Sequence, residues 1–348
     1  MKKVLVLGGG GFIGRNVVDF LVTRGDVHVT AADIHRGSNW ERIENDSRCS
    51  DRFSGVCADF TRDQSFDLFE DDIDEVYMLA AVVGVNRTIQ NPQEVIMTNT
   101  LLTINTLNWL EKTSVKKLLF ASSSENYAGT SDLFFWKVPT AEDVPLSVSD
   151  VSHPRWTYAI TKIHGEAAFL HSASSLGFES TVVRYQNIVG PEMGFGHAIP
   201  HIVERFVALN ESPFKIYGHD QTRAFCFVED AVRGTVLAME NSKSDGEIYH
   251  IGNSQEVTIR ELTTFIGDLL GYKGPYEEAV TYPGSVSRRC PDISKATREL
   301  SYAPIFSWQE AVEHTASWYK EFFANGNVPE NGGFQTPEAV MGNYKSDD

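Results

Sequence analysis

The chain has 348 residues, with 30 basic against 47 acidic side chains and a net charge of −17. An acidic surface of this kind repels nucleic acid and anionic membrane, so an anionic ligand has to be held by isolated arginines in a cleft. The four cysteines, Cys49, Cys57, Cys226 and Cys290, show neither metal-ligand nor disulfide-framework spacing, and no run approaches the ~20 apolar residues of a membrane span. The expectation is a cytoplasmic protein without metal, membrane or nucleic-acid partner, either one large α/β domain or two smaller ones.

The first element is a short apolar strand, Val4 to Gly8, that runs into Gly8, Gly11 and Gly14 and then into a helix from Phe12. A side chain at Gly8 or Gly11 would block the tight turn or hold the backbone away from a pyrophosphate, while Gly14 lets helix and strand pack closely. The helix start, at Phe12 and Ile13, would then face the phosphates of a dinucleotide. A second strand, Val27 to Asp33, ends in an acid placed to accept hydrogen bonds from an adenosine ribose. That acid repels a 2′-phosphate and favours NAD over NADP, although Arg36 close behind weakens the preference.

Strand signals continue near Gly55 to Ala58 and from Glu75 to Ala80, followed by a helix from Gln93 to Lys112 and a strand from Lys117 to Ser122. A helix from Thr157 and a strand Ser180 to Tyr185 complete the alternation. Such alternation predicts right-handed βαβ units, hence a Rossmann-type doubly wound parallel sheet with helices on both faces. The segment 128–156 reads as irregular, with aromatics at 134 to 136, and a loop this long inside a compact domain points to function. Residues 1–185 are expected to form the cofactor domain and 186–322 mainly a smaller mixed lobe with some segments returning to the sheet. Residues 323–348 read as a polar tail.

Two groupings carry chemistry. Tyr158 and Lys162 lie four apart on one helix face, where a cation near a phenol lowers its pKa from about 10 and makes it a usable acid or base. The same spacing also occurs on ordinary exposed helices. Upstream, Ser122, Ser123, Ser124 and Glu125 end a strand, and in a parallel sheet ligands bind beyond the carboxyl ends of the strands. The alternative there is a hydroxyl-rich turn capping the next segment.

The fixed order of glycine turn, Asp33, Asp59-Phe60, Leu79-Ala80-Ala81, Ser run and Tyr-x-x-x-Lys resembles the extended short-chain dehydrogenase/reductase family, and within it the nucleotide-sugar epimerases, dehydratases and decarboxylases. The resemblance continues through Arg184-Tyr185-Gln186-Asn187, Arg223-Ala-Phe, Tyr249-His-Ile-Gly252 and Arg289-Cys-Pro-Asp292. It implies an enzyme with bound NAD, contacted by Asp59, Phe60, Leu79, Ala80, Ala81 and Tyr185 besides the glycine turn. Ser123 would support the sugar oxygen that Tyr158 deprotonates, Lys162 would hold the nicotinamide ribose and depress the Tyr158 pKa, and Asn187, Arg223 and Arg289 would bind the nucleotide diphosphate.

The resemblance also gives Ser124 and Glu125 catalytic places. Simple 4-epimerases usually carry a small residue at the position of Glu125, whereas dehydratases and decarboxylases carry Glu to move a proton in a second step. Pro154-Arg155-Trp156 before the tyrosine resembles decarboxylases of nucleotide hexuronates, so the reading leans to that reaction, with 4,6-dehydratase and then 4-epimerase as alternatives. A non-catalytic NAD sensor is disfavoured because Ser123, Tyr158 and Lys162 are all kept. A reductase that releases oxidised product is the third class. Tyr127-Ala128-Gly129 departs from the Tyr-Gly of the family and marks an unusual sugar-binding wall. The resemblance further implies a homodimer built on the helices Asn99 to Lys112 and Thr157 to Ser174.

Overall fold

The structure is a computed structural model that describes residues 1–281, 285–329 and 333–336. Seven parallel strands form its central sheet. In chain order they are β1 (Lys2–Leu7), β2 (Val27–Asp33), β3 (Phe53–Cys57), β4 (Glu75–Met78), β5 (Lys117–Ser123) and β6 (Glu179–Tyr185), with Ile248–Ile251 added beside β6. From one edge the order is Ile248–Ile251, β6, β5, β4, β1, β2, β3. Succession therefore reverses between β1 and β4, and a crevice opens there at the carboxyl ends of the strands.

Strand parity explains why both faces of the sheet are apolar. Val4 and Val6 belong to the core on one face, Leu5 and Leu7 to the core on the other, as alternating side chains require. The same split places Leu119 and Val183 on the first face and Leu118, Phe120 and Val182 on the second. The first core continues without a break through Phe214, Phe227, Leu262 and Tyr319 of the C-terminal half. The lobe therefore shares its packing with the sheet, and Ile248–Ile251 is a segment that returns to it.

α1 (Phe12–Arg24) follows β1 directly. Gly8 has φ of +87°, and a Cβ there would lie 2.5 Å from the Ala80 nitrogen, while a Cβ at Gly14 would lie 1.9 Å from the Gly8 oxygen. The glycines at 8 and 14 are thus forced by backbone conformation and close approach. The lobe adds a three-stranded sheet of Thr222–Ala224, Glu256–Thr258 and Arg288–Arg289, and a parallel pair of Phe214–Tyr217 with Tyr276–Ala279.

Segment 128–156 is more ordered than its sequence suggests. It opens with a helix, Ala128–Leu133, and closes with a single 3₁₀ turn, Pro154–Trp156. Thr140 ties its middle to the lobe, donating its N–H to the Cys290 carbonyl at 2.9 Å and accepting from the Asp292 N–H at 2.8 Å. Phe134 and Phe135 remain 67% and 91% exposed.

The helix Trp308–Ala324 extends past the expected start of the polar tail and buries Phe323. Most of that tail lies outside the described residues. Within it, the Phe334 N–H donates to Glu204 Oε2 at 2.7 Å. Among the described residues, no helix is long and apolar enough to cross a membrane.

Candidate active site

The glycine turn forms one end of the crevice. No side chain caps the start of α1, and a Cβ added at Gly11 would meet only the Gly8 oxygen, at 3.4 Å. The approach over Phe12 and Ile13 is therefore open to a group that accepts hydrogen bonds, and this cradle fits a dinucleotide phosphate. Ala80 packs its backbone against Gly8, which brings Leu79, Ala80 and Ala81 beside the turn. The Asp33 carboxylate accepts from the Gly10 N–H at 3.0 Å and the His35 N–H at 3.3 Å. Arg36 is committed elsewhere, paired with Glu44 at 2.5 Å and lying over the Trp40 ring.

Three expected cofactor contacts have side chains with partners of their own. Asp59 accepts from the Thr61 N–H and hydroxyl at 3.0 and 2.6 Å. Phe60 packs in an aromatic cluster with Phe66 and Phe69, and its carbonyl accepts from Asn105. The Tyr185 hydroxyl is 2.7 Å from Thr235 Oγ1, on the core side. At Phe60 and Tyr185 the main chain is left for a cofactor, whereas Asp59, bonded to Thr61 through Oδ1, still presents Oδ2.

At the other end, β5 delivers Ser123 and the 3₁₀ turn after it, Ser124–Tyr127, delivers Glu125, while the helix Thr157–Leu176 delivers Tyr158 and Lys162. Gly165 lets this helix sit close on β5, since a Cβ there would lie 2.3 Å from the Phe120 ring. Lys162 is buried; its Nζ donates to the Ala121 carbonyl at 2.7 Å and lies 4.7 Å from the Phe120 ring centroid. Burial lowers its ammonium to about 7, against the opposing pull of Glu166.

The Tyr158 phenol is raised rather than depressed. Burial is the main cause and the Glu125 charge adds to it, while a hydrogen bond with Ser123 opposes both. The expected lowering by Lys162 is absent because that side chain turns to Ala121 and stays 5.8 Å from the Tyr158 ring centroid. Ser123 also accepts from the Glu125 N–H at 3.2 Å. Ser124 is buried at 3% exposure, which leaves Ser123 and Glu125 as the groups of this turn that reach the crevice. Ala128, the departure noted in the sequence, packs with Trp156, Ala159 and Val286.

Glu125 is held between two arginines. Arg289 Nη1 donates to Oε1 at 2.7 Å, and Arg155 Nη2 is 3.6 Å from Oε2. Burial by itself would raise the carboxyl, but Arg289, then Arg155, and then Arg223 outweigh it and hold it down at about 2. Arg289 and Arg223 are register partners on adjacent strands. Asn187, at φ +42°, donates to the Ala224 carbonyl at 3.0 Å. Asn187, Arg223 and Arg289 thus lie on one wall of the lobe, and Arg289 reaches across to Glu125.

A second ion pair, not evident from the sequence, lies beneath the site. Arg184 donates twice to the Glu166 carboxylate, at 2.8 and 2.8 Å, and Ser122 and Asn126 donate to Glu166 Oε1 at 2.5 and 2.8 Å. These bonds join β6, the Tyr158 helix and the turn that carries Glu125. Helical i+4 spacing sets Glu166 against Lys162 and gives no sign of Arg184, 18 positions further on.

Glu166→Ala would leave a buried guanidinium unpaired and is expected to cost about 3–5 kcal/mol of stability. Urea unfolding checks this. A loss under 1 kcal/mol would show that the pair does not brace the site.

A dinucleotide cradle beside a serine, tyrosine and lysine on a doubly wound sheet defines a short-chain dehydrogenase/reductase of the extended type. Residues 4–252 match the NAD dependent epimerase/dehydratase family. The chain belongs to that family, and it is an enzyme whose cofactor is NAD. It is 32% identical to a UDP-N-acetyl-alpha-D-glucosaminuronate decarboxylase of Bacillus cytotoxicus, over 92% of this chain and 98% of the relative. It is 30% identical to a UDP-glucuronate 4-epimerase of Thermodesulfobacterium geofontis, over 92% and 97%. Among solved structures it resembles the UDP-glucuronic acid 4-epimerase of Bacillus cereus in complex with UDP-glucuronic acid and NAD. That match has a TM-score of 0.79 and 25% identity and covers 92% of this chain and 99% of the other.

Proposed function

We propose that the enzyme oxidises a nucleoside-diphosphate hexuronate at carbon 4 and decarboxylates the resulting 4-keto sugar. The observation that carries this reading is Glu125, an ionised carboxylate between Arg155 and Arg289 and close enough to Tyr158 to raise its phenol. A plain 4-epimerase has no use for such a group, whereas a second proton-moving step does. Two relatives named above act, by their names, on uronate sugars, which supports a carboxylated substrate.

Gly8, Gly11, Phe12, Ile13, Gly14 and Asp33 would hold the pyrophosphate and adenosine of the cofactor, and Lys162 the nicotinamide ribose. Bound there, NAD⁺ supplies a hydride acceptor for carbon 4 and a positive charge that favours the Tyr158 phenolate. Tyr158 takes the proton of the 4-hydroxyl, and Ser123 holds the same oxygen. The 4-ketone then draws the electrons of the bond between carbons 5 and 6 as carbon dioxide leaves, and the enolate is protonated at carbon 5; return of the hydride to carbon 4, with the Tyr158 proton going back to its oxygen, would restore NAD⁺ and make the net change the loss of carbon dioxide. Glu125, ionised in the resting enzyme, positions the groups around carbon 5 and takes part in that proton movement. Asn187, Arg223 and Arg289 would form the wall that binds the diphosphate, with Arg289 Nη1 kept on Glu125.

The reading extends to a cytoplasmic homodimer with cofactor domain 1–185 and substrate lobe 186–322. The exposed Ile96, Met97 and Ile104 of the helix Pro92–Leu110, which packs on the Tyr158 helix, support the dimer.

Mass spectrometry after incubation with UDP-glucuronate, UDP-N-acetylglucosaminuronate, UDP-glucose and dTDP-glucose tests the reaction. Loss of carbon dioxide from a uronate is expected. Loss of water from a neutral hexose would make the enzyme a 4,6-dehydratase, and an epimer of unchanged mass a 4-epimerase.

A further inference from the structure

Arg155 is a buried cation whose pairing is incomplete. Its side chain is 10% exposed, and its Nε, buried, has no hydrogen-bond partner among the described residues. Its approach to Glu125 is an ion pair at 3.6 Å, too long for a charge-assisted hydrogen bond of about 2.7–2.9 Å. Trp156 packs against the guanidinium, with its ring centroid 5.4 Å from Cζ. A buried guanidinium with an unused donor is costly unless something else completes it. The missing group has to be an acceptor, and a planar carboxylate suits the fork of donors that an arginine presents.

Position decides which carboxylate. The other two cations of the site come from the lobe and are already bonded: Arg289 to Glu125, and Arg223 to the Thr222 carbonyl, with Gln221 and Ser285 at 3.4 Å. Arg155 comes from the opposite side, on the 3₁₀ turn that leads straight into the helix bearing Tyr158. That turn is fixed by Pro154, by the Arg155 N–H donating to His153 Nδ1 at 3.3 Å, and by Thr157 Oγ1 donating to the Pro154 carbonyl at 2.9 Å. If Glu125 serves carbon 5, as the reading above has it, a sugar with its carbon 4 oxygen at Tyr158 would present its carbon 5 substituent toward Glu125 and Arg155. The diphosphate would then lie at the other end, toward Arg223.

We infer that Arg155 is the specificity-determining cation of the site, and that it receives the carbon 5 carboxylate of the sugar in the place where Glu125 partly satisfies it in the resting chain. The inference rests on the hexuronate reading above. Substrate carboxylate and Glu125 then compete for one guanidinium, so binding draws Arg155 off Glu125 and leaves Glu125 held by Arg289 alone. A neutral hexose, with a hydroxymethyl group at carbon 5, gains nothing from Arg155 and leaves the resting pair in place.

Titration calorimetry on the NAD-loaded enzyme in a Tyr158→Phe background, which keeps the site but does not turn over UDP-glucuronate, is the test, with UDP-glucose as the comparison that differs only at that substituent. The parent is expected to prefer the uronate. Arg155→Gln is expected to bind UDP-glucuronate about 10–100-fold more weakly, the range of a lost charged hydrogen-bond pair, and UDP-glucose within about threefold of the parent. Arg155→Lys, which keeps the charge and loses the fork, should weaken the uronate alone, by about tenfold. It also covers the case in which the glutamine variant fails to fold, with NAD content and melting temperature as controls.

An equal fall for both sugars would move Arg155 to the diphosphate or to structure and overturn the inference. A preference that survives in both variants would overturn it as well. A parent that binds the two sugars equally would instead remove the hexuronate reading on which it stands.

Discussion

Tyr158→Phe is expected to fold and keep its NAD while losing hydride transfer by about 10²–10⁴-fold, the usual worth of positioned acid–base assistance. The substitution removes only the oxygen that takes the 4-hydroxyl proton. The helix is anchored independently, through Lys162 on Ala121 and Glu166 on Arg184. Single-turnover growth of NADH absorbance on adding substrate measures the effect. A variant that reduces its NAD at a rate near the parent's would take Tyr158 out of the chemistry.

Burial and the Glu125 charge raise the Tyr158 phenol, and Ser123 opposes them, so the acid limb of the oxidation step has a predictable direction. Ser123→Ala removes the opposing bond and should move that limb to higher pH.

The second large effect is at Glu125. Glu125→Gln should still oxidise its substrate but stall with a trapped 4-keto sugar, because the second step loses its carboxylate by about 10²–10⁴-fold. The same change removes the nearby negative charge that raises the Tyr158 phenol, so the acid limb of the first step should move to lower pH while the second step slows. A residue that merely braced the site would slow both steps together and leave the limb where it was. Rapid quench with mass analysis separates the steps, and turnover at the parent rate would return 4-epimerase to the front. Solvent deuterium at carbon 5, with or without release of carbon dioxide, distinguishes decarboxylation from abstraction of the carbon 5 proton by a dehydratase.

Local sequence determined a good deal of this protein. The alternation of short apolar strands with helices dictates a parallel sheet, because strands buried on both faces need crossover connections that cover them. Val4, Leu5, Val6 and Leu7 had to divide between two cores by parity alone. Gly8 and Gly14 were legible because a backbone this crowded admits no Cβ. Tyr158 and Lys162 were legible because four residues make one helical turn.

What the sequence could not decide is which side chains meet across long stretches of chain. Arg289 reaches Glu125 over 164 positions, and Arg184 meets Glu166 over 18. Neither meeting follows from periodicity, since each depends on the strand order and on where the lobe returns.

The facing of side chains was also tertiary. Phe60 follows β3 and Tyr185 ends β6 beside the crevice, yet packing commits the ring to Phe66 and Phe69 and the hydroxyl to Thr235. The Tyr158 phenol shows the same division. Spacing places a lysine near it, but burial, Glu125 and the Ala121 carbonyl that holds the ammonium raise its proton affinity. Electrostatic balance in a low-dielectric crevice depends on every charge within reach, and only the folded chain brings those charges together.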